Sequence, residues 1–188
     1  MADSFYTILQ PANGLYKEKG SRFLAFAEPV ETEQEAKQRL AYYRKEYYDA
    51  RHVCYAWMLG ADREQFRQSD DGEPSGTAGR PILGQINSRH LTNILIVVVR
   101  YFGGILLGTG GLVVAYKEAA SDALANAQIV EKDVTVRRTL RFNYEKMNNV
   151  MRTLKDIDAR IISQDYENDQ CVIVCDIKKK FDGCLTVV

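Results

Sequence analysis

Residues 93–99 read NILIVVV, and a glycine-rich run lies on each side: DDGEPSGTAGRP at 70–81 and RYFGGILLGTGG at 100–111. An unbroken run of β-branched residues and leucine is typical of a strand that is buried on both faces. Eight of the 13 glycines fall in the two flanking runs. They indicate positive φ, or close approach of the backbone to a neighbour, on both sides of the strand. We therefore expect the fold to be built around this strand.

Residues 112–127 (LVVAYKEAASDALANA) follow the second glycine run and have the pattern of a helix. Most of its positions are apolar or small, which favours a buried helix that lies close against a sheet. Upstream, Thr32 and Glu35 have the spacing of a capping box, so we expect a helix from there to about Tyr48. A short helix is predicted over residues 81–86, because proline favours the first helical turn.

Strands are predicted on both sides of the first helix. Residues 22–27 precede it, residues 53–59 and 65–69 follow it, and residues 4–15 form a weakly patterned lead-in. The resulting order, β-α-β-β-α-β-α, predicts an α+β domain over residues 1–130.

A second unit is predicted over residues 131–188. A strand at 134–142, a helix capped by Asn143 and a hairpin at 159–177 give the order β-α-β-β. Too few residues follow Ile177 for the second helix and strand of a complete ferredoxin-like fold, so we expect a truncated sheet.

The predicted hairpin carries three apolar side chains, Ile161, Val172 and Val174, which we expect to form a row on one face. One helix covers only part of such a sheet, and a large exposed apolar patch is unusual on a soluble monomer. We predict self-association or a partner at this face, or mobility of the C-terminal unit.

Composition and charge exclude several classes of protein. The chain has 25 basic and 25 acidic residues among 188, so any contact with nucleic acid has to use a local patch. The four cysteines have no CxxC or zinc spacing, and Cys171 and Cys175 lie too far apart along a strand to form a disulfide. There is no signal-peptide pattern and no run of membrane-spanning length. These features predict a reduced, soluble, cytoplasmic protein with no membrane partner, metal or cofactor.

Asp70, Asp71 and Glu73 form an acidic cluster at the first glycine run. Such carboxylates ligate divalent cations or act as acids and bases, but adjacent carboxylates in a strand point to opposite faces. Gly72 and Pro74 indicate a turn here. We prefer a structural turn in which the carboxylates cap nearby amides.

Ser75 is a weak candidate nucleophile. It lacks the G-x-S-x-G elbow, since Glu73 stands where the first glycine would be. Histidine is the usual partner of a serine nucleophile, and the sequence places neither His52 nor His90 beside Ser75. We do not expect serine catalysis.

The run GGILLGTGG (103–111) lacks the Lys-Ser/Thr of a P-loop, and Val113 stands where a dinucleotide fingerprint needs its third glycine. Gly108 and Gly110 at a helix N-terminus still expose amides that favour an anion. Close packing of the helix on the sheet explains the same glycines without a ligand. Both interpretations stay open.

Arg80 and Arg100 flank the glycine runs and are the cations best placed to complete an anion site, although capping of a carbonyl also explains each. We predict that both are solvent-reachable in one shared groove. Tyr101 and Phe102 leave the strand and enter a loop, where such a pair stacks on a base or, more commonly, joins the core.

Three segments closely resemble the IMPACT family, including its bacterial YigZ-type members: SDDGEPSGTAGRPIL (69–83), VVVRYFGGILLGTGGLVVAY (97–116) and ARHVCYAW (50–57) with its His52 and Cys54. The resemblance implies an N-terminal domain similar to domain IV of elongation factor G, of the ribosomal-protein domain 2-like superfamily. It also implies a ferredoxin-like C-terminal domain similar to domain V of that factor. Eukaryotic members regulate translation by competing for the activator of an amino-acid-starvation kinase, so the resemblance implies a translation- or RNA-associated factor.

The chain departs from the family at two positions. Members usually carry basic residues where this chain has Leu106 and Val114. The absence of two cations beside the glycine loop weakens an RNA or anion contact here.

Three hypotheses stay open. The favoured one is a non-catalytic, translation-linked module that contacts RNA, the ribosome or a protein. The alternative is an enzyme that acts on a small anionic substrate in the cleft between the two glycine-rich runs, and the third makes both runs packing devices. The candidate binding residues are His52, Asp70, Asp71, Gly72, Glu73, Ser75, Gly76, Thr77, Arg80, Arg100, Tyr101, Phe102, Gly103, Gly104, Gly108 and Gly110.

Overall fold

A computed structural model describes residues 2–187, with side chains up to residue 185. The chain divides into two compact units. The larger unit is Phe5–Lys132, and the smaller contains residues 133–187 together with residues 2–4. The secondary structure is mixed α/β. None of the helices within residues 2–187 combines the length and apolar composition needed to cross a membrane.

The larger unit is built on a five-stranded antiparallel sheet with three helices. The elements are β1 (Ser4–Ile8), β2 (Ala12–Glu18), β3 (Ser21–Pro29), α1 (Glu33–Glu46), β4 (His52–Leu59), β5 (Gln65–Ser69), α2 (Gly79–Ser88), β6 (Ile94–Tyr101), α3 (Gly108–Ala125) and β7 (Ile129–Asp133). The sheet has the strand order β2-β3-β6-β4-β5, and β1 pairs with β7 in a separate two-stranded sheet. Strand β6 therefore lies at the centre of the sheet.

Both faces of β6 are covered by helices. Ile96 and Val98 lie in a hydrophobic core with residues of α2 and α3. The alternate residues Val97 and Val99 lie in a second core with residues of α1. All four side chains are fully buried, which confirms the prediction of a strand buried on both faces. The larger unit thus has three layers, with the sheet between α1 and the α2–α3 pair.

The helix starts are partly as predicted. The Thr32 hydroxyl accepts a hydrogen bond from the Glu35 amide at 3.1 Å, which confirms the N-cap of α1. Helix α3 begins at Gly108, earlier than expected, because the glycine run itself forms the first turn. The weakly patterned lead-in is two strands, β1 and β2. That prediction was wrong because β2 lies at a sheet edge, with the apolar Leu15 on its exposed face and Gly14 and Glu18 on the other, so the sequence does not alternate.

Two glycines of the runs are required by close backbone packing. A Cβ on Gly103 would lie 2.0 Å from the backbone carbon of Gly20. A Cβ on Gly79 would lie 2.7 Å from the amide nitrogen of Ser69. Neither distance leaves room for a side chain, so part of the glycine clustering serves the fold.

The smaller unit has the predicted β-α-β-β order. Its elements are β8 (Thr135–Asn143), α4 (Met147–Asp156), β9 (Arg160–Glu167) and β10 (Gln170–Lys178), with 3₁₀ turns at Tyr144–Lys146 and Lys179–Val187. The three strands pair antiparallel in the order β8-β10-β9, and α4 covers one face. The last segment is a 3₁₀ helix rather than the start of an α-helix, and its Leu185 joins the core.

The prediction that Ile161, Val172 and Val174 form an apolar row on one face of the hairpin is wrong. A register shift between Val174 and Cys175 brings Ile161 opposite Cys175, which faces the core. Val172 and Val174 alternate with core residues and therefore point to the other face. The bulge that separates the row has no signal in the residue pattern. Self-association of this unit stays a prediction.

Candidate functional site

An open cleft of about 290 Å³ lies in the larger unit where both glycine runs meet the end of β6. The turn after β5, the start of β4 and the first turn of α3 form its walls. The lining residues are Arg51, His52, Glu73, Pro74, Arg100, Phe102, Leu106, Leu107, Gly108, Thr109 and Leu112. Charged groups thus stand at the floor of a mostly apolar cavity, which is the usual composition of a ligand site.

A buried ion pair forms the floor of the cleft. Arg100 and Glu73 are only 5% and 8% exposed. The Nη1 of Arg100 donates to Oε1 of Glu73 at 2.5 Å, and the Tyr116 hydroxyl donates to the same oxygen at 2.7 Å. The Nε of Arg100 has no hydrogen-bond partner among residues 2–187. Buried pairs of this kind are weak contributors to stability, because removing both charges from water is costly.

Two further groups extend this network but are not nucleophiles. The Sγ of Cys54 lies 3.4 Å from the Tyr116 hydroxyl and 3.1 Å from the carbonyl oxygen of Asp70. Burial raises the pKa of the Cys54 thiol and of the Tyr116 hydroxyl well above their ordinary values. Both groups therefore stay protonated near neutral pH, and the thiolate that nucleophilic attack requires is absent.

His52 is held in a fixed orientation at the edge of the cleft. Its Nδ1 lies 2.7 Å from the carbonyl oxygen of Asp71, which only accepts hydrogen bonds, so this geometry assigns a proton to Nδ1. Its Nε2 lies 3.7 Å from Oε2 of Glu73. The Nε2 side of the ring therefore faces the Glu73 carboxylate.

Asp70 and Asp71 hold the turn after β5. The Asp70 carboxylate accepts hydrogen bonds from the amides of Gly76, Ala78 and Gly79 at 2.8 to 3.1 Å. The Asp71 carboxylate accepts a hydrogen bond from the amide of Val53 at 2.7 Å. The carboxylates cap amides, as the preferred interpretation of the sequence expects.

The N-terminus of α3 is open towards the cleft. Its N-cap residue, Leu107, makes no side-chain cap, and the first turn contains no acidic residue. Gly108 has a φ of +73°, and a Cβ on Gly108 or Gly110 would meet no described atom within 4 Å. Close packing therefore does not explain these two glycines. The first amides of the helix have no intrahelical partners and carry its positive end charge.

An apolar ridge stands beside the cleft, formed by the loop after β6 and the outer face of α3. Leu106 is 82% exposed and Ile105 is 55% exposed. The ridge consists of Phe102, Ile105, Leu106, Val113 and Val114, all classed as exposed. These five exposed apolar side chains all lie within residues 102–114, which overlap the second glycine run.

Five candidate residues from the sequence come together in the cleft: His52, Glu73, Arg100, Phe102 and Gly108. Eleven others do not line it: Asp70, Asp71, Gly72, Ser75, Gly76, Thr77, Arg80, Tyr101, Gly103, Gly104 and Gly110. Their binding role stays a prediction.

The prediction that Arg80 and Arg100 are both solvent-reachable in one shared groove is wrong. Arg100 is buried against Glu73, and the exposed Arg80 does not line the cleft. Tyr101 and Phe102 are also separated. Tyr101 points to the α1 side of the sheet and its hydroxyl donates to Asp49, whereas Phe102 lines the cleft. Successive residues of a strand point to opposite faces, which explains the separation.

The sequence did not single out Arg51, Tyr116 or Thr109 for the site. Arg51 immediately precedes His52, and that adjacency was the available signal. Tyr116 is a polar side chain in an otherwise small and apolar helix face, and it is fully buried. Among residues 2–187, no group of three His, Cys, Asp or Glu side chains is arranged to hold a metal ion.

Comparison with known proteins gives consistent matches. Residues 19–124 match a family model described as the Impact N-terminal domain. The chain is 42% identical over 151 residues to IMPACT family member YigZ of Escherichia coli strain K12, which covers 79% of this chain and 74% of that protein. It is 39% identical over 154 residues to an IMPACT family member of Haemophilus influenzae, covering 79% and 73%. A crystal structure described as that of a hypothetical protein superposes with a TM-score of 0.78 at 34% identity, covering 100% of this chain and 91% of that one.

Proposed function

Because the chain belongs to the IMPACT family and matches bacterial members of the YigZ type, we propose that it is a translation-associated regulatory protein. It acts by binding a protein component of the translation apparatus and carries out no catalysis. The family resemblance supports the link to translation. The mode of action rests on one observation, the apolar ridge beside the cleft.

The composition of the ridge favours a protein partner over RNA. Contact with RNA depends on cations that neutralise phosphates. Leu106 and Val114 occupy the two positions at which the family resemblance implies cations, and both are exposed here. Their burial requires an apolar surface on the partner, since buried apolar area supplies the driving force.

The domain assignment also belongs to this proposal. Residues 1–130 are the IMPACT N-terminal domain, similar to domain IV of elongation factor G. Residues 131–188 are a ferredoxin-like domain. The order β8-β10-β9 supports the second assignment, because a split β-α-β unit places a third strand between its first two.

Sedimentation of the full chain with purified bacterial ribosomes tests the proposal. We expect co-sedimentation whose affinity changes less than about threefold between 50 and 200 mM salt, because apolar contacts are not screened. Ile105→Asp introduces a charge into the ridge without touching the cleft. It should weaken association at least about tenfold.

Leu9→Asp is the matched control, since Leu9 is 51% exposed in the same unit but lies outside the ridge. This variant should associate like the wild type. A fall of about a thousandfold over the same salt range would identify phosphate contacts with RNA and overturn the protein-contact mode. Absence of any co-sedimentation would overturn the proposed contact with the translation apparatus.

A further inference from the structure

We propose that the cleft is a binding site for a small organic anion, namely a phosphate or carboxylate group on a compact apolar body. The proposal concerns the cleft, which shares Phe102 and Leu106 with the apolar ridge, and it is tested without the partner proposed for the ridge. It rests on donors that the fold leaves unpaired, on the open start of α3 and on the lining of the cavity.

Arg100 supplies the first argument. Its side chain is only 6% exposed yet lines the cleft. Within residues 2–187, the one hydrogen bond described for its guanidinium is that from Nη1 to Glu73, and its Nε has no partner. Glu73 and the rings of Phe23 and Phe102, 5.4 and 5.6 Å from the guanidinium carbon, hold the group in place. Because Nε is itself enclosed, an oxyanion in the cleft would meet the Nη side of this fixed guanidinium, whose fork geometry suits a planar or tetrahedral oxyanion.

The start of α3 supplies the second argument. Gly108 and Thr109 line the same cleft, and no side chain caps this end of the helix. Gly110 has neither a positive φ nor a described atom within 4 Å of its missing Cβ. Glycine at such a position keeps the approach to the amides clear, and uncapped first-turn amides favour an anion.

The remaining charges of the cleft are compatible with an anion. Glu73 is the carboxylate of the lining, and its Oε1 is already engaged by Arg100 and Tyr116. Arg51 is exposed at the rim and adds a cation. The positive groups therefore outnumber the single engaged carboxylate.

The lining residues also indicate the polarity and size of the part of the ligand that carries the anionic group. Phe102, Leu107 and Leu112 form apolar walls. A volume of about 290 Å³ lies just below the usual range for sites that bind drug-sized molecules. A group the size of one aromatic ring with a single anionic head fits this space, whereas a dinucleotide does not.

Titration of the full ¹⁵N-labelled chain with phenyl phosphate tests the proposal. We expect saturable shifts of the Arg100 Nε–H and of the Gly108 and Thr109 amides. Inorganic phosphate, the head group alone, should bind at least about tenfold more weakly, and neutral benzyl alcohol should not bind. Benzoate carries the same ring on a carboxylate, so its affinity relative to phenyl phosphate identifies the preferred head group. Tight binding of either supports the proposal.

Thr109→Asp places a negative charge in the first turn of α3, where acidic residues favour the helix and so preserve folding. It should weaken phenyl phosphate binding at least about tenfold relative to the isosteric Thr109→Asn. Asn148→Asp makes the same type of change in the first turn of α4 and should have no effect. Absence of binding at 10 mM, equal binding by the two Thr109 variants, or shifts confined to residues outside the cleft would each overturn the proposal. The probes contain no translation component, so failure here leaves the ribosome experiment unaffected.

Discussion

The buried Arg100–Glu73 ion pair of the larger unit contrasts with exposed ion pairs of the smaller unit. In the larger unit, Arg100 and Glu73 pair beneath a cleft, with both side chains almost completely buried. In the smaller unit, Arg137–Asp176 and Arg141–Glu167 are also hydrogen-bonded pairs, with N···O distances of 2.7 Å, but they remain in contact with water. Similar geometry therefore has different consequences in the two units.

The comparison separates a structural use of charge from a functional one. Exposed pairs contribute little because water solvates the partners when they separate. A buried pair costs desolvation free energy that apolar residues of the same volume would avoid. Under the proposal made above, the larger unit keeps these charges for the anion that the cleft binds.

The largest effect is expected from breaking the buried pair. Arg100→Met keeps much of the side-chain volume but leaves the Glu73 carboxylate buried without its cation. We expect a loss of about 3–5 kcal/mol in the free energy of unfolding. Trp57, the one tryptophan of the chain, is buried in the larger unit, so its fluorescence during urea unfolding reports this unit. A loss below about 1 kcal/mol would contradict the cost assigned here to leaving the Glu73 carboxylate buried without its cation.

A smaller loss of stability is expected at Asp70, whose carboxylate accepts hydrogen bonds from backbone amides. Asp70→Ala removes the acceptor of three turn amides, and we expect a loss of about 2 kcal/mol in the same assay. Asp70→Asn keeps one acceptor oxygen and should lose less. Equal losses for the two variants would show that charge, and not the number of hydrogen bonds, dominates at this turn.

The sequence was sufficient for the central strand and insufficient for the site. The apolar run of β6 and the capping residue Thr32 are local signals, and both predictions were confirmed. The pairing of Arg100 with Glu73 joins residues 27 positions apart. No local pattern encodes such a pairing, so Arg100 was predicted to be exposed and is buried.

The sequence also failed to predict the edge strand β2 and the side-chain directions in the hairpin of the smaller unit. β2 was not recognised because the apolar Leu15 lies on its exposed face, whereas Gly14 and Glu18 lie on the other. The apolar row predicted for the hairpin was wrong because of a single irregularity between Val174 and Cys175. The family motifs located the cleft to within a few residues. The motifs did not distinguish residues that line the cleft, such as Phe102, from neighbours such as Tyr101, whose side chain lies on the opposite face of the sheet.

The smallest effect is expected at an exposed pair of the smaller unit. The hydrogen bond from Arg137 lowers the pKa of Asp176 below its ordinary value. A carboxyl group with a lowered pKa in the folded state adds stability above its unfolded pKa and loses it as the pH falls through the folded pKa. The NMR signals of β10 followed during thermal unfolding should therefore show a slight acid-dependent loss that Asp176→Asn lacks. An identical acid dependence in both proteins would show that the Arg137–Asp176 pair contributes no pH-dependent stability.

The double variant Arg100→Met/Glu73→Gln tests most directly the claim that the buried pair serves binding rather than stability. It removes both charges, and the side-chain amide introduced by Glu73→Gln keeps an acceptor oxygen for the Tyr116 hydroxyl. We predict an unfolding free energy within about 1 kcal/mol of the wild type, together with loss of phenyl phosphate binding. A double variant that still binds phenyl phosphate, or that is as unstable as Arg100→Met alone, would contradict the claim.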